Sequence, residues 1–227
     1  MSVPPLDPRR LQEVSARTLA HYRRFAADYR AGTWEHDVSQ NIDALLGAIR
    51  RAPPCRILDL GCGPGRDLVG FRARGHEAVG LDGCPEFAEM ARVASGCEVW
   101  LQDLLALRMP AGHFDGVFAN AVLFHVPSQA LPRVLDQLRA TLRPDGVLLS
   151  SNPRGRNEEG WADGRYACFY DFATWRRGME DAGFGLIDHY YRPPGRPRPQ
   201  QPWLATLWRK RSAGCAGGSS APDPGSG

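Results

Sequence analysis

A run of glycines and three acidic residues fall at spacings that suit binding of a nucleoside. Residues 57 to 68 read ILDLGCGPGRDL, where apolar residues surround Asp59 and Gly61, Gly63 and Gly65 alternate with Cys62 and Pro64. Glycine admits positive φ and lets a ligand approach backbone that a Cβ would shield. Asp82 closes the run EAVGLD, roughly twenty residues past Gly61, where a carboxylate accepts hydrogen bonds from a ribose diol. A third acid, Asp103, follows in VWLQDLL. Two phosphate-cradling alternatives fail on the residues. The dinucleotide fingerprint needs a small residue at 66, which is Arg66, and no G-x-x-x-x-G-K-[ST] is present.

These residues need a scaffold, and the pattern supplies one. Helical periodicity covers about 14 to 30, and a second helix from Ser39 places Ile42, Leu45, Leu46 and Ile49 on one face before Pro53 and Pro54. RILDL then reads as a short buried strand, followed by the glycine loop and a helix through DLVGFRAR that ends at Gly75. EAVGLD, CEVWL, FDGVFAN and DGVLLSS read as further strands. Helices fall between them at Pro85–Gly96 and through SQALPRVLDQLRATL, and DFATWRRGMEDAG follows the last. This alternation predicts βαβ units and a parallel sheet covered on both faces. FGLIDHYY and WLATLWRK have no helix between them, so they should pair antiparallel. In such a sheet a ligand sits outside the carboxyl ends of the strands, which is where the glycines and the acids lie.

The chain has 227 residues, a formal net charge of +3 and one lysine, Lys210. That charge is too small, and the late arginines too sparse, for a nucleic-acid surface. No run approaches the length of a membrane span, and MSVPPLDPRR lacks a signal peptide's apolar core, so a cytoplasmic protein is expected. The six cysteines form no CxxC pair and no metal-ligand spacing, which predicts reduced structural thiols and no metal. The expected organisation is a flexible N-terminus over 1–12, one domain over 13–211 and a disordered tail over 212–227. Within the domain, cap helices occupy 13–52 and the α/β core 53–211.

LDLGCGPG resembles motif I of the class I S-adenosylmethionine-dependent methyltransferases. The resemblance continues in order through VGLD (79–82), LQDLLALRMP (101–110), FDGVFANAVLFHV (114–126) and LRPDGVLLSS (142–151). It implies a Rossmann-like, doubly wound, seven-stranded and mostly parallel sheet with an antiparallel last strand. It further implies S-adenosyl-L-methionine as cofactor. The backbone of Gly61, Gly63 and Gly65 would face its methionine and ribose portions, with Cys62 and Gly83 beside them. Asp59 would orient the amine, Asp82 would take the ribose hydroxyls, and Asp103 with Leu104 would meet the adenine. Asn120 would lie near the methionine moiety. Loop and helix capping remain alternative roles for Asp59 and Asp103.

The acceptor side is less generic. Tyr22 and Tyr29 in the N-terminal helix are candidate substrate contacts, and His125 in LFHV is the candidate base or acceptor contact, against a structural role. The segment SSNPRGRNEEGWADGRYACFYD reads as a long loop offering Asn152, Arg154, Trp161 and Tyr166, with Arg154 suited to a carboxylate or phosphate. The expected reaction is methyl transfer to a small polar, possibly carboxylated, metabolite. A protein side chain as acceptor, or cofactor binding without catalysis, stay open beside it. The NPRG at 152–155 follows the fifth strand, whereas the Asn-Pro motif of nucleic-acid amino-methyltransferases follows the fourth, so it carries no such meaning.

Overall fold

The computed structural model describes residues 6–212. Three helices precede the sheet: α1 (Pro8–Arg24), α2 (Ala26–Thr33) and α3 (Ser39–Ala48). β1 (Arg56–Leu60), β2 (Glu77–Asp82) and β3 (Glu98–Leu101) then alternate with α4 (Arg66–Ala73) and α5 (Pro85–Ser95). β4 (Phe114–Asn120) leads through α6 (Leu131–Thr141) to β5 (Leu142–Pro153). A hairpin of β6 (Glu158–Ala162) and β7 (Arg165–Phe169) follows, then α7 (Phe172–Asp181), β8 (Phe184–Arg192) and β9 (Trp203–Lys210).

Seven strands form one sheet in the order β3-β2-β1-β4-β5-β9-β8. The first five run parallel, while β9 is antiparallel to both β5 and β8. The last strand in the chain is therefore not last in space: it slots between β5 and β8. Alternating strand residues bury both faces, as a parallel sheet requires. Leu58, Val117 and Leu148 pack with α6 and α7 through Val134, Leu138, Trp175 and Met179. Ile57, Phe118 and Leu149 pack on the opposite face with Phe71 and with Ile42 and Leu45 of α3.

The strand order reverses at β1, with β2 on one side and β4 on the other. Register aligns Leu60 with Leu81, Asp82 with Leu101, and Asn120 with Ser151. The glycine loop, Asp82, Asp103 and Asn120 thus all emerge at one edge, beside the switch point.

Three expectations need correction. Helix α1 begins at Pro8, inside the stretch expected to be flexible. The Asp7 carboxylate caps it by accepting from Arg10 N at 2.9 Å, Pro8 supplies a preset first-turn φ, and the Leu6 backbone exchanges two hydrogen bonds with the Gln129 side chain. The remaining flexible calls, residues 1–5 and 213–227, lie outside the described residues. The helix expected over 14–30 also breaks at Phe25, whose backbone leaves helical geometry. Lastly, the loop after β5 contains the β6–β7 hairpin, reversed at Asp163 (φ 47°) and Gly164 (φ 79°). Asp-Gly suits a tight hairpin turn because both residues tolerate positive φ. Replacing Asp7 by alanine should lower stability by about 1 kcal/mol, the usual worth of an N-cap, read as a drop in the urea midpoint.

Candidate functional site

Two adjoining cavities open at this edge of the sheet. The first is lined by Asp82, Gly83, Asp103 and Leu104 from the strand ends and by Ser15, Leu19 and Tyr22 from α1. The second, of about 490 Å³, is lined among others by Asn120, Phe124, Arg165, Arg192 and Trp203. Gly61, Gly63, Tyr22, Tyr29 and Ala121 line both, so the cavities meet over the glycine loop.

The glycines divide by role. A Cβ on Gly61 would strike the Val122 side chain at 2.3 Å, and one on Gly65 the Ala91 backbone at 2.7 Å. Both residues have positive φ and serve close packing within the protein, and Gly65 does not line either cavity. Only Gly63 has space above it, with the Tyr29 ring as nearest neighbour at 3.8 Å. Cys62 is buried and borders the second cavity, and burial raises its thiol pKa well above the ordinary value.

The carboxylates are held from below. Asp82 is buried and accepts from Gly63 N at 2.9 Å and Cys84 N at 2.8 Å, which fixes the loop to β2. Burial pushes its pKa up to about 6 against the pull of those backbone donors. Asp103 serves as an N-cap, accepting from Leu105 N, and also accepts from Ser15 Oγ of α1 at 2.6 Å. Asp59 is fully enclosed and its Oδ2 has no partner among the described residues. Burial, then the neighbouring Asp67, raises its pKa well above the carboxylate range. Asn120 Oδ1 accepts from Asn41, whose own Oδ1 accepts from Tyr190. That chain commits the Asn120 oxygen and leaves its amide N–H groups to donate.

His125 is locked at both nitrogens. Nδ1 lies 2.7 Å from the Tyr166 carbonyl, which can only accept, so Nδ1 carries the proton. Nε2 therefore accepts from the Tyr22 hydroxyl at 2.7 Å. Burial lowers the histidine pKa to about 4, so the ring is neutral near pH 7. This geometry makes it an anchor for Tyr22, which Arg165 Nη1 approaches from the other side at 3.3 Å.

Several expected substrate contacts do not reach either cavity. Arg154 donates to the carbonyls of Gln201 and Arg198 and ties down the β8–β9 connection. Trp161 is half exposed on β6 with the Arg17 guanidinium 3.9 Å from its ring centre. Tyr166 bonds Glu159 through its hydroxyl and serves the site only through its backbone. Asn152 is buried within β5, away from the cavity walls. Conversely, the sequence did not single out Arg165, Arg192 or Ala121. Ala121 holds φ at 62°, a strained geometry for a residue with a Cβ, at the junction of the cavities. Its place directly after a strand-ending Asn120 was the one available signal. Among the described residues no cluster of potential metal ligands occurs, and no helix is long and apolar enough to cross a membrane.

A glycine-floored cavity at the switch point of this sheet, with an acid ending β2, is the arrangement of the class I S-adenosylmethionine-dependent methyltransferases. Residues 20–189 match the model of a methyltransferase-domain family, and the chain belongs to that family. Trans-aconitate 2-methyltransferase of Azoarcus sp. (strain BH72) is 36% identical over 116 residues, covering 50% of this chain and 45% of that protein. Malonyl-[acyl-carrier protein] O-methyltransferase of Enterobacter lignolyticus is 28% identical over 147 residues, covering 64% and 54%. The chain spans about half the length of the curated relatives it matches. In fold it is similar to the 1,6-didemethyltoxoflavin-N1-methyltransferase of Burkholderia thailandensis, solved with 1,6-didemethyltoxoflavin and S-adenosylhomocysteine bound. That similarity has a TM-score of 0.75 at 23% identity, over 93% of this chain and 94% of that one.

Proposed function

We propose that the chain transfers a methyl group from S-adenosylmethionine to a small polar metabolite bearing carboxylate. The observation that carries this reading is the pair of cavities meeting over Gly63, one lined by Asp82 and Asp103 and the other by three arginines beside Asp37 and Asp67. The residues present fit the cofactor. The cavity-lining Asp82 suits vicinal hydroxyls, and the open face of Gly63 leaves room for a ligand against the backbone, whereas the enclosed Asp59 lines neither cavity. Gly83, Asp103 and Leu104 would meet the adenine, and Asn120 would donate to an oxygen nearby. When bound, the cofactor supplies an electrophilic methyl on a sulfonium.

The protein's own part is positional. Tyr22 and Tyr29 line both cavities, and positioning alone accounts for a large share of such a rate. A carboxylate acceptor is ionised near neutral pH and requires no base, consistent with a His125 whose nitrogens are both engaged. The second cavity's volume lies within the range usual for small-molecule pockets. A relative named for trans-aconitate and another for a malonyl group support an acidic acceptor. The small net charge and the five free described cysteines accord with a cytoplasmic enzyme without a nucleic-acid partner.

Calorimetric titration with S-adenosylhomocysteine tests the cofactor half, and transfer of labelled methyl to extracted acidic metabolites tests the acceptor half. Binding of roughly micromolar affinity is expected. A folded wild type that binds none would end the reading.

A further inference from the structure

The second cavity carries three arginines, and they are not in the same state. Arg66 is spent: it makes two hydrogen bonds to the Asp67 carboxylate, at 2.7 and 3.0 Å, and one to the Thr33 carbonyl. Arg165 and Arg192 make no ion pair with any described residue. Each has a buried Nε–H without a partner. Arg165 touches only the Tyr22 hydroxyl through Nη1, and Arg192 Nη2 donates to the Asp37 carbonyl. The Asp37 carboxylate accepts from Ser39 N and feels the charge of Arg192 without forming an ion pair with it. Two positive charges therefore face one cavity with most of their donors free. Partly buried charge of that kind is costly unless an anion completes it.

The two arginines are also anchored apart. Arg165 begins β7 in the separate hairpin and lies beside Tyr22, where the two cavities meet. Arg192 ends β8 on the main sheet, paired with Trp203 of β9, which lines the same cavity. We propose that they are two distinct anion seats, and that the metabolite methylated here carries two acidic groups, one for each arginine. This rests on the methyltransferase reading above and sharpens it. Arg165 holds the acidic group nearer the methyl-transfer junction, and Arg192 sets the length and selects against monoacids.

The test uses the full chain loaded with S-adenosylhomocysteine, titrated with trans-aconitate, fumarate and glutarate. Crotonate and pentanoate serve as monoacid counterparts of the two diacids. Methyl transfer from labelled S-adenosylmethionine to the same acids is measured alongside. At least one diacid should bind, and its monoacid counterpart should bind at least about tenfold more weakly, the loss of one charge-assisted contact. Arg165→Gln and Arg192→Gln should each weaken the diacid about tenfold or more while S-adenosylhomocysteine affinity stays unchanged. Arg165 also lies over the Tyr22 ring, so Arg165→Lys separates charge from packing and should recover part of the loss. Equal affinity for mono- and diacids, unaltered affinity in both glutamine variants, or no acid bound by a protein that binds S-adenosylhomocysteine would each overturn the proposal and leave the methyltransferase reading standing. Failure of the folded wild type to bind S-adenosylhomocysteine would remove that reading, and the two-seat proposal with it.

Discussion

Replacing Gly65 by alanine should cost about 3 kcal/mol of folding stability, far more than a glycine-to-alanine change in an ordinary loop. Two costs combine. Gly65 has φ of 91°, and an L-residue with a Cβ loses about 1–2 kcal/mol in left-handed backbone. Its Cβ would also lie 2.7 Å from Ala91 Cα and 3.1 Å from Ala91 O on α5, and backbone cannot swing aside as a side chain can. Forcing atoms into a packed contact costs about 1–3 kcal/mol more. Gly112→Ala is the control, because it shares the positive φ but has nothing within 4 Å of its Cβ. Denaturant unfolding of both variants measures the difference, and equal losses would refute the packing account. Gly63→Ala should separate from both: about 1 kcal/mol in stability from its φ of 52°, but weakened S-adenosylhomocysteine binding because the new methyl enters the cavity floor.

Asp82→Ala should weaken S-adenosylhomocysteine binding about a hundredfold or more, by removing a charged acceptor worth about 3 kcal/mol to hydroxyl donors. The wild type should show the same residue through pH. Donors from a bound ligand favour the ionised carboxylate, so the pKa of about 6 falls on binding. Affinity should then be flat above pH 6 and drop by about tenfold per unit as pH falls below it. Stability without ligand follows a different course. Asp82 has a folded pKa above its unfolded value, so its contribution is full below about 3.8 and is lost as pH rises through 6. His125, lowered to about 4, contributes above about 6.5 and loses that contribution as pH falls. The two oppose each other between pH 4 and 6, so binding should swing with pH where the stability owed to this pair changes little. Calorimetry and urea titrations at matched pH separate the two curves. A pH-independent affinity would remove Asp82 from the ligand's contacts.

The parts of this site that sequence discloses are those built from neighbouring residues. β1, the glycine loop and α4 form one continuous stretch, and Asp82 closes the next strand, so their shared edge follows from strand parity and chain order. The capping role of Asp103 was legible as an alternative, and the structure adds Ser15, 88 residues away, as its second donor. The acceptor side depends on long-range contacts and could not be read in the same way. Arg154 and Arg165 are equally plausible arginines in one polar segment. Carbonyls 44 and 47 residues away claim the first, and a hairpin directs the second to Tyr22, 143 residues distant. That hairpin has a local signature in Ala162-Asp163-Gly164, but its strands lack the strict alternation that marks a hairpin in sequence. The early start of α1 was equally visible in Asp7-Pro8.

The β6–β7 hairpin pairs with no strand of the main sheet, yet it carries Arg165 and the carbonyl that fixes His125. Its attachment runs through β7, where Tyr166 N bonds Thr18, the Tyr166 carbonyl holds the histidine, and buried Tyr166 and Cys168 pack on Val14 of α1. Divergence can therefore rewrite β6 and the turn while the buried residues of β7 persist, with the sheet and the glycine loop inherited intact. Changes of substrate among descendants of this chain should accumulate in residues 158–165, leaving the half of the molecule beneath them almost unmarked.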